Sequence, residues 1–123
     1  MKYAFLGVQS VELYPQLVQR FDLPVGEGAW LQVVQPDGPA EDAGLRGGRG
    51  EVSFQARSFA EGGDIITRIG DRKVDDPDDL FEAVQLFDPG QKVEVEVYRD
   101  GKKRTLDLEL GERPLNPPRE SSG

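Results

Sequence analysis

The chain has 123 residues, 37% of them hydrophobic, and a net charge of −8 from 23 acidic and 15 basic side chains. Its length fits one domain, and its acidic balance argues against binding to nucleic acid or to an anionic membrane, since both require a basic surface. Cysteine and histidine are both absent, which excludes disulfides, thiol nucleophiles, imidazole bases and the commonest metal ligand. We therefore expect no catalytic residues, no metal and no cofactor in this chain.

The sequence contains no pattern of a membrane span or of a signal peptide. Its apolar runs extend over a few residues only, whereas a helix needs about 20 to cross a bilayer. We therefore expect no direct membrane insertion by this segment. Met1 and Lys2 directly precede an apolar strand pattern, which indicates a fragment of a longer chain.

Strands and short helices alternate in the first part of the chain. In residues 3–11, apolar and polar residues alternate loosely, which predicts a strand. Pro15 suits the first turn of a short helix over 14–21. The apolar run 29–34 predicts a buried strand, and residues 39–45 predict one or two helical turns closed by a glycine.

The middle of the chain contains its clearest helix. Before it, residues 46–62 include two short alternating stretches, which we interpret as a surface hairpin, and residues 64–69 predict a strand. The helix begins at Asp76, which can cap it, and Pro77 fits its first position. The aspartates around this start complement the positive end of the helix dipole, and the segment lacks the internal glycine bend of a calcium loop.

Apolar and polar residues alternate strictly over 92–99 and again over 105–110. This pattern predicts two strands joined by an Asp-Gly hairpin turn. Periodicity ends after the second of these strands. We therefore predict one domain over residues 3–113 and a disordered tail or linker over 114–123. Together the elements predict an α+β fold, a small, partly open antiparallel β-barrel or sandwich of five to six strands with two helices.

A tetrapeptide near the N-terminus and the long helix are candidates for a binding groove. In Phe5-Leu6-Gly7-Val8, the glycine would let successive backbone N–H groups point at an anion. A strand that leaves such a loop with an open edge could accept an extended peptide, and the small side chain of Ala83 on the facing helix would leave room for it. The alternative interpretation is that these apolar residues belong to the core.

The features become specific in combination. Two blocks are the most distinctive, G-P-A-E-D-A-G-L at 38–45 and G-D-I-I at 63–66. Further blocks are F-L-G-V at 5–8, G-A-W-L at 28–31, D-L-F-E-A-V at 79–84, V-E-V at 93–95 and R-D-G at 99–101. This ordered series, over about residues 3–114, resembles the PDZ domain that follows the catalytic unit in HtrA/DegP-like serine proteases.

The resemblance implies a peptide-binding module without catalytic machinery. In the family, the loop at the first block binds a ligand's C-terminal carboxylate through backbone amides, and the ligand adds as a β-strand beside the following residues, against the helix. The residues of this sequence that the resemblance assigns to peptide binding are Phe5, Leu6, Gly7, Val8, Gln9, Ser10, Asp79, Ala83 and Leu86. A shift of one residue along the helix would replace the last three with Leu80, Val84 and Phe87.

The sequence departs from the family pattern in two places. Residues 46–62 are an insertion between two blocks that the family joins directly, and they could flank the groove or lie on the far side of the domain. The helix start is unusually acidic, with Asp75, Asp76, Asp78 and Asp79 beside the inferred groove. We therefore expect a preference for apolar C-termini with a basic or polar residue upstream.

The resemblance implies a regulatory domain of a trypsin-like serine endoprotease in the periplasm or cell envelope. Its expected partners are C-termini or extended segments of substrate or misfolded proteins, and its own protease domain in the full-length protein. The alternative is a PDZ module of another protease or of a scaffold, with a structural, subunit-contact or intramolecular role. In the intramolecular case, the segment 114–123 would occupy the groove.

Overall fold

The computed structural model describes residues 2–114, and for residues 2–5 and 112–114 it describes the backbone. The strands are β1 (Lys2–Phe5), β2 (Val8–Glu12), β3 (Ala29–Val34), β4 (Arg49–Phe54), β5 (Arg57–Glu61), β6 (Ile65–Ile69), β7 (Arg72–Lys73), β8 (Lys92–Arg99), β9 (Lys102–Glu109) and β10 (Gly111–Pro114). The helices are α1 (Pro15–Phe21), α2 (Pro39–Asp42) and α3 (Pro77–Gln85).

The main sheet is antiparallel and open. Its strand order is β2-β3-β6-β8-β9, with the two-residue β7 paired to β6. Two separate pairs, β1 with β10 and β4 with β5, complete the architecture. This arrangement confirms the predicted α+β fold. The described residues form ten strands and three helices, where five to six strands and two helices were predicted. Residues 3–11 divide into β1 and β2, β7 and β10 are too short to show a period, and α2 has four residues only.

The chain ends of the described range pair with each other. β1 and β10 are antiparallel, with Lys2 opposite Pro114 and Phe5 opposite Gly111. The loss of periodicity after Gly111 does not mark the end of regular structure, since this four-residue strand is formed by backbone pairing with a distant segment. Residues 115–123 of the predicted tail lie outside the described residues.

The main core lies between α3 and the inner face of the main sheet. As predicted, Asp76 caps α3, where its side chain accepts a hydrogen bond from the Asp79 N–H at 2.8 Å. The buried face of α3 consists of Leu80, Ala83 and Val84. These side chains pack against alternate residues of the strands, including Leu31, Ile66, Val95 and Val97.

A second, aromatic cluster occupies the outer face of the sheet. It joins Trp30 of β3 to Phe21 of α1 and to Phe54 and Phe59 of the β4–β5 hairpin. The rings of Trp30 and Phe59 are stacked with centroids 6.0 Å apart, and Phe21 lies 5.1 Å from Trp30. The hairpin within residues 46–62 is therefore packed on the far side of the sheet from α3.

Two polar contacts join the hairpin to β3. The Gln32 amide donates to the carbonyl of Ala60 at 3.1 Å and accepts from the Ala60 N–H at 2.6 Å, which imitates a rung of strand pairing. At the end of the hairpin, Gly63 lies against the carbonyl of Leu31 so closely that no Cβ would fit. A glycine is required there for the close approach of two backbones.

A buried ion pair holds the base of the hairpin. Asp64 has no exposed surface, and Arg99 donates to both of its carboxylate oxygens, at 2.8 Å and 2.7 Å. The Arg46 N–H donates to the same carboxylate at 3.0 Å, and Arg99 also donates to the carbonyl of Gly44 at 2.8 Å. Asp64 thus joins the loop after α2, the base of the hairpin and the end of β8. Its hydrogen bonds raise the pKa of Arg99 above the usual value.

Candidate functional site

A cleft lies along the open edge of the main sheet. Within residues 2–114, β2 is the terminal strand of that sheet and pairs with β3 on one side only. On its other side the cleft, with a volume of about 670 Å³, separates β2 from α3. The cleft is lined by Leu6, Gly7, Val8, Gln9, Ser10, Val33, Gln35, Pro36, Pro77, Asp78, Leu80, Phe81, Val84 and Gln85.

The loop that closes one end of the cleft has a defined backbone orientation. Gly7 has a φ of 83°, in the left-handed region that favours glycine. The carbonyl of Leu6 accepts from the Ala40 N–H at 3.0 Å, and that of Gly7 accepts from the Gln35 N–H at 2.8 Å. Since a trans peptide directs C=O and the next N–H in opposite directions, the N–H groups of Gly7 and Val8 point away from these donors.

The side chains of β2 alternate between the two faces of the sheet. Val8 lies opposite Val34, and Ser10 opposite the fully buried Leu31. Residues directly opposite each other share a face, so Val8 and Ser10 face α3 and the core. Gln9, which lies opposite the half-exposed Val33, is on the outer face.

The structure places five of the nine predicted peptide-binding residues along this cleft: Leu6, Gly7, Val8, Gln9 and Ser10. Phe5 immediately precedes them as the last residue of β1, and its side chain is not described. The loop and strand predicted from the tetrapeptide and its continuation are therefore brought together on one edge.

The three helix residues of the same prediction lie outside the cleft lining. Asp79 turns back to accept a hydrogen bond from the Asp75 N–H at 3.1 Å, Ala83 is buried in the core, and Leu86 is exposed beyond the cleft. The cause is the helical period, because a shift of one residue turns a side chain by about 100°. Two residues of the alternative register, Leu80 and Val84, line the cleft.

The third residue of that alternative, Phe87, packs against Gly70 and the main core instead of lining the cleft. Two large apolar residues of the cleft were also not predicted. Phe81 of α3 is 65% exposed and Val33 of β3 is 48% exposed, although both are large and apolar. The helical spacing predicts that Phe81 is exposed, since it lies off the apolar stripe of its helix. Val33, by contrast, belongs to an apolar run that predicts burial.

A second cleft, of about 440 Å³, lies at the end of β2. It is lined by Glu12, Leu13, Tyr14, Pro15, Val18, Gly26, Glu27, Asp75 and Asp76. Lys73 lies beside it, with its ammonium 3.4 Å from Asp75 and 3.6 Å from Glu27. The charge of Asp75, followed by that of Glu27, raises the pKa of this exposed lysine.

The insertion, residues 46–62, does not flank the first cleft, which lies between β2 and α3. Among the described residues, those lining the cleft come from 6–10, 33–36 and 77–85, whereas the hairpin packs on the outer face through its aromatic side chains. The hairpin base borders a different cleft, which shares Val33 with the first. The acidic helix start is likewise divided, since Asp78 lines the first cleft and Asp75 and Asp76 line the second.

Residues 2–114 contain no helix with the length and apolarity required to cross a membrane. The same range holds no group of three or more histidine, cysteine, aspartate or glutamate side chains arranged to hold a metal ion.

Comparison with known proteins agrees with this geometry. The sequence model of the PDZ domain family matches residues 4–110. A probable periplasmic serine endoprotease, DegP-like, of Marinomonas sp. is 34% identical over 114 residues, which are 93% of this chain and 21% of the relative. The chain thus spans about a fifth of the length of that relative.

Solved structures give the same result. An HtrA-type protease, AlgW, solved with a decapeptide superimposes with a TM-score of 0.73 at 30% identity, over 94% of this chain and 31% of that one. The HtrA3 PDZ domain, bound to a phage-derived ligand (FGRWV), gives a TM-score of 0.66 over 91% of this chain and 88% of that one. Its identity of 24% makes this second likeness one of fold alone. The chain belongs to the PDZ domain family, in the form found in HtrA-type and DegP-like serine proteases.

Proposed function

We propose that this chain is the peptide-binding regulatory module of an HtrA-like serine protease and that it binds C-termini or extended segments of other proteins by strand addition. The observation that supports this most strongly is the open edge of β2, which faces a cleft and not another strand. An unpaired strand edge presents a row of N–H and C=O groups, and an extended peptide satisfies them in the same way as a further strand of the sheet.

The loop at the closed end supports recognition of a free carboxylate. The N–H groups of Gly7 and Val8 both point away from the backbone donors that hold their neighbouring carbonyls, and both residues line the cleft. Two convergent N–H groups beside a residue in the left-handed conformation form a concavity suited to an anion. Charge-assisted hydrogen bonds of this kind are about twice as strong as neutral ones.

The walls of the cleft favour an apolar last residue. Leu6, Leu80 and Val84 converge on the face of β2 that is turned toward α3. If the last ligand residue lies opposite Val8, its side chain points to this face, because directly opposed residues share a face. An apolar side chain there would be removed from water among other apolar groups, which contributes about 25 cal/mol per Å² buried.

The names of the relatives support the wider role. The DegP-like relative is a probable periplasmic endoprotease, and AlgW was solved with a decapeptide. We infer that the parent protein is a serine endoprotease acting outside the cytoplasm, in the periplasm or cell envelope, and that this module presents substrate or misfolded proteins to the protease domain.

The test is a binding assay on the isolated domain with a matched pair of helix variants. Fluorescence anisotropy would compare a labelled peptide that ends in a free valine carboxylate with its amide-capped form. We expect micromolar affinity for the free acid and a loss of about tenfold on capping, because the cap removes the charge that the loop amides bind.

Phe81 and Leu86 make the matched pair, since both are exposed on or just after α3 but Phe81 alone of the two lines the cleft. Phe81→Ala should weaken binding by about three- to tenfold, the equivalent of 0.7–1.4 kcal/mol of lost apolar contact, whereas Leu86→Ala should leave it unchanged. Equal weakening by both variants would contradict the placement of the peptide. No binding of either peptide would contradict the proposed function and favour a structural role.

A further inference from the structure

The residues that line the second cleft lie close in sequence to residues that line the first. The first cleft includes β2 as far as Ser10 and the start of α3 at Pro77 and Asp78. The second includes Glu12, two residues further along β2, and Asp76, the residue directly before Pro77. A strand that lies along β2 and is long enough passes from one into the other.

The pairing register fixes which ligand residue enters the second cleft. A peptide added to β2 with its carboxylate at the loop runs antiparallel to it, so each step away from the C-terminus advances one residue along β2. With the last residue opposite Val8, the third from the end lies opposite Ser10 and the fifth opposite Glu12. Since Glu12 lies opposite Ala29, which is buried in the main core, these three ligand side chains all face α3 and its start.

The second cleft combines an apolar floor with an excess of negative charge. Leu13 is buried at its base, and Tyr14 and Val18 are partly buried beside it. Four carboxylates surround this floor, those of Glu12, Glu27, Asp75 and Asp76, and the ammonium of Lys73 lies beside two of them. The side chains of Glu27 and Asp75 are 66% and 42% exposed, so both remain partly accessible from solvent.

We propose that this second cleft is a subsite for a lysine or arginine side chain at the fifth residue from the C-terminus of the ligand. The proposal rests on the proposed peptide-binding function. Long basic side chains bury their aliphatic part on an apolar surface and keep their charged end in water, which matches a floor of Tyr14 and Val18 beneath the carboxylates. The fourth residue, by contrast, would face the outer side of the sheet.

Binding of a set of free-carboxylate peptides that differ in one place tests the proposal. The set is SGAASAV, SGKASAV with lysine fifth from the end, SGAKSAV with lysine fourth, and SGEASAV with glutamate fifth. At about 50 mM salt we expect the fifth-position lysine to raise affinity about fivefold over alanine, as two or three partly exposed ion pairs would. Glutamate should lower affinity, and 1 M salt should remove most of the difference.

A pair of domain variants locates the effect. Glu12→Gln should reduce the advantage of the fifth-position lysine to about twofold, whereas Glu51→Gln, a neutralisation of equal charge on the exposed β4 strand, should leave it unchanged. Equal affinity for SGAASAV and SGKASAV would overturn the subsite while leaving the proposed function intact. Equal gains from lysine at the fourth and fifth positions would also overturn it, since they would show general attraction to an acidic domain. If none of the four peptides binds, the proposed function fails and the subsite with it.

Discussion

Replacement of Arg99 by methionine tests the account of how the inserted hairpin is held. Asp64 is fully buried, and Arg99 supplies two of the hydrogen bonds to its carboxylate, at 2.8 Å and 2.7 Å. Arg99→Met keeps much of the side-chain volume but leaves a buried charge with the Arg46 N–H as a remaining donor. Loss of one partner of a buried ion pair costs about 3–5 kcal/mol.

A cost of this size is a large part of the stability of a small domain, which is about 5–15 kcal/mol. Urea unfolding would measure it through the fluorescence of Trp30, the single tryptophan of the chain and 1% exposed. With an m-value of about 1.5 kcal/mol/M, the midpoint should fall by about 2–3 M. Refolding from urea should be checked, so that the two-state treatment applies.

The control is Lys103→Met, which breaks an exposed ion pair with Glu96 at 3.7 Å and should cost less than about 1 kcal/mol. The stability lost in Arg99→Lys should lie between those of the other two variants. Lysine keeps the charge, but its ammonium cannot donate the two parallel hydrogen bonds that a planar guanidinium gives to a carboxylate. If Arg99→Met costs no more than Lys103→Met, the ion pair does not stabilise the domain and the reasoning is wrong.

Two further predictions concern the loop and the hairpin. Gly7→Ala should destabilise the domain by about 1 kcal/mol, because Gly7 has a φ of 83°, and should weaken binding of free-carboxylate peptides. Gly50→Ala is the matched control in the same urea and anisotropy assays, since Gly50 also has a positive φ, of 69°, but lines neither cleft; it should cost similar stability and leave binding unchanged. Phe59→Ala removes a ring that is buried against Trp30 and should cost about 3–5 kcal/mol in urea unfolding. An unchanged midpoint would show that the hairpin is not part of the folded unit.

The start of α3 and the β8–β9 hairpin could be predicted from the sequence, because residues close together in the chain determine both. The start of α3 follows from an aspartate followed by proline, and the structure shows Asp76 accepting the capping hydrogen bond. The β8–β9 hairpin follows from strict alternation on both sides of Asp100 and Gly101, which both have the positive φ of a tight hairpin turn. In each case, residues close in sequence determine the structure.

The features that depend on distant contacts could not be predicted in the same way. The pairing of β10 with β1 joins the two ends of the domain, and four residues are too few to show a period. The face of the sheet on which the hairpin packs depends on Phe54 and Phe59 meeting Phe21 and Trp30, and no local pattern specifies that contact. The ion pair of Asp64 and Arg99 likewise joins residues 35 positions apart.

The candidate site shows the same division. The loop and edge strand, residues 6–10, could be predicted as one side of a groove because they are contiguous, and they line one side of the cleft. For the helix side two registers were open, because both Ala83 and Val84 are buried and the sequence does not show which of two adjacent apolar residues faces the cleft. Leu80 and Val84, from the alternative register, line the cleft. The sequence indicates that Phe81 lies off the buried stripe of its helix, but only the structure shows that it lines the cleft.

An NMR titration of the isotope-labelled domain tests the central claim most directly. The ligand would be a peptide with an apolar last residue, added once as the free acid and once as the amide. We predict that the free acid shifts the backbone amide signals of Gly7 and Val8 most strongly, together with those of β2 and α3, and that the amide form shifts the loop signals far less. Shifts confined to the β4–β5 hairpin, or no shifts with either peptide, would contradict peptide binding at the edge of β2.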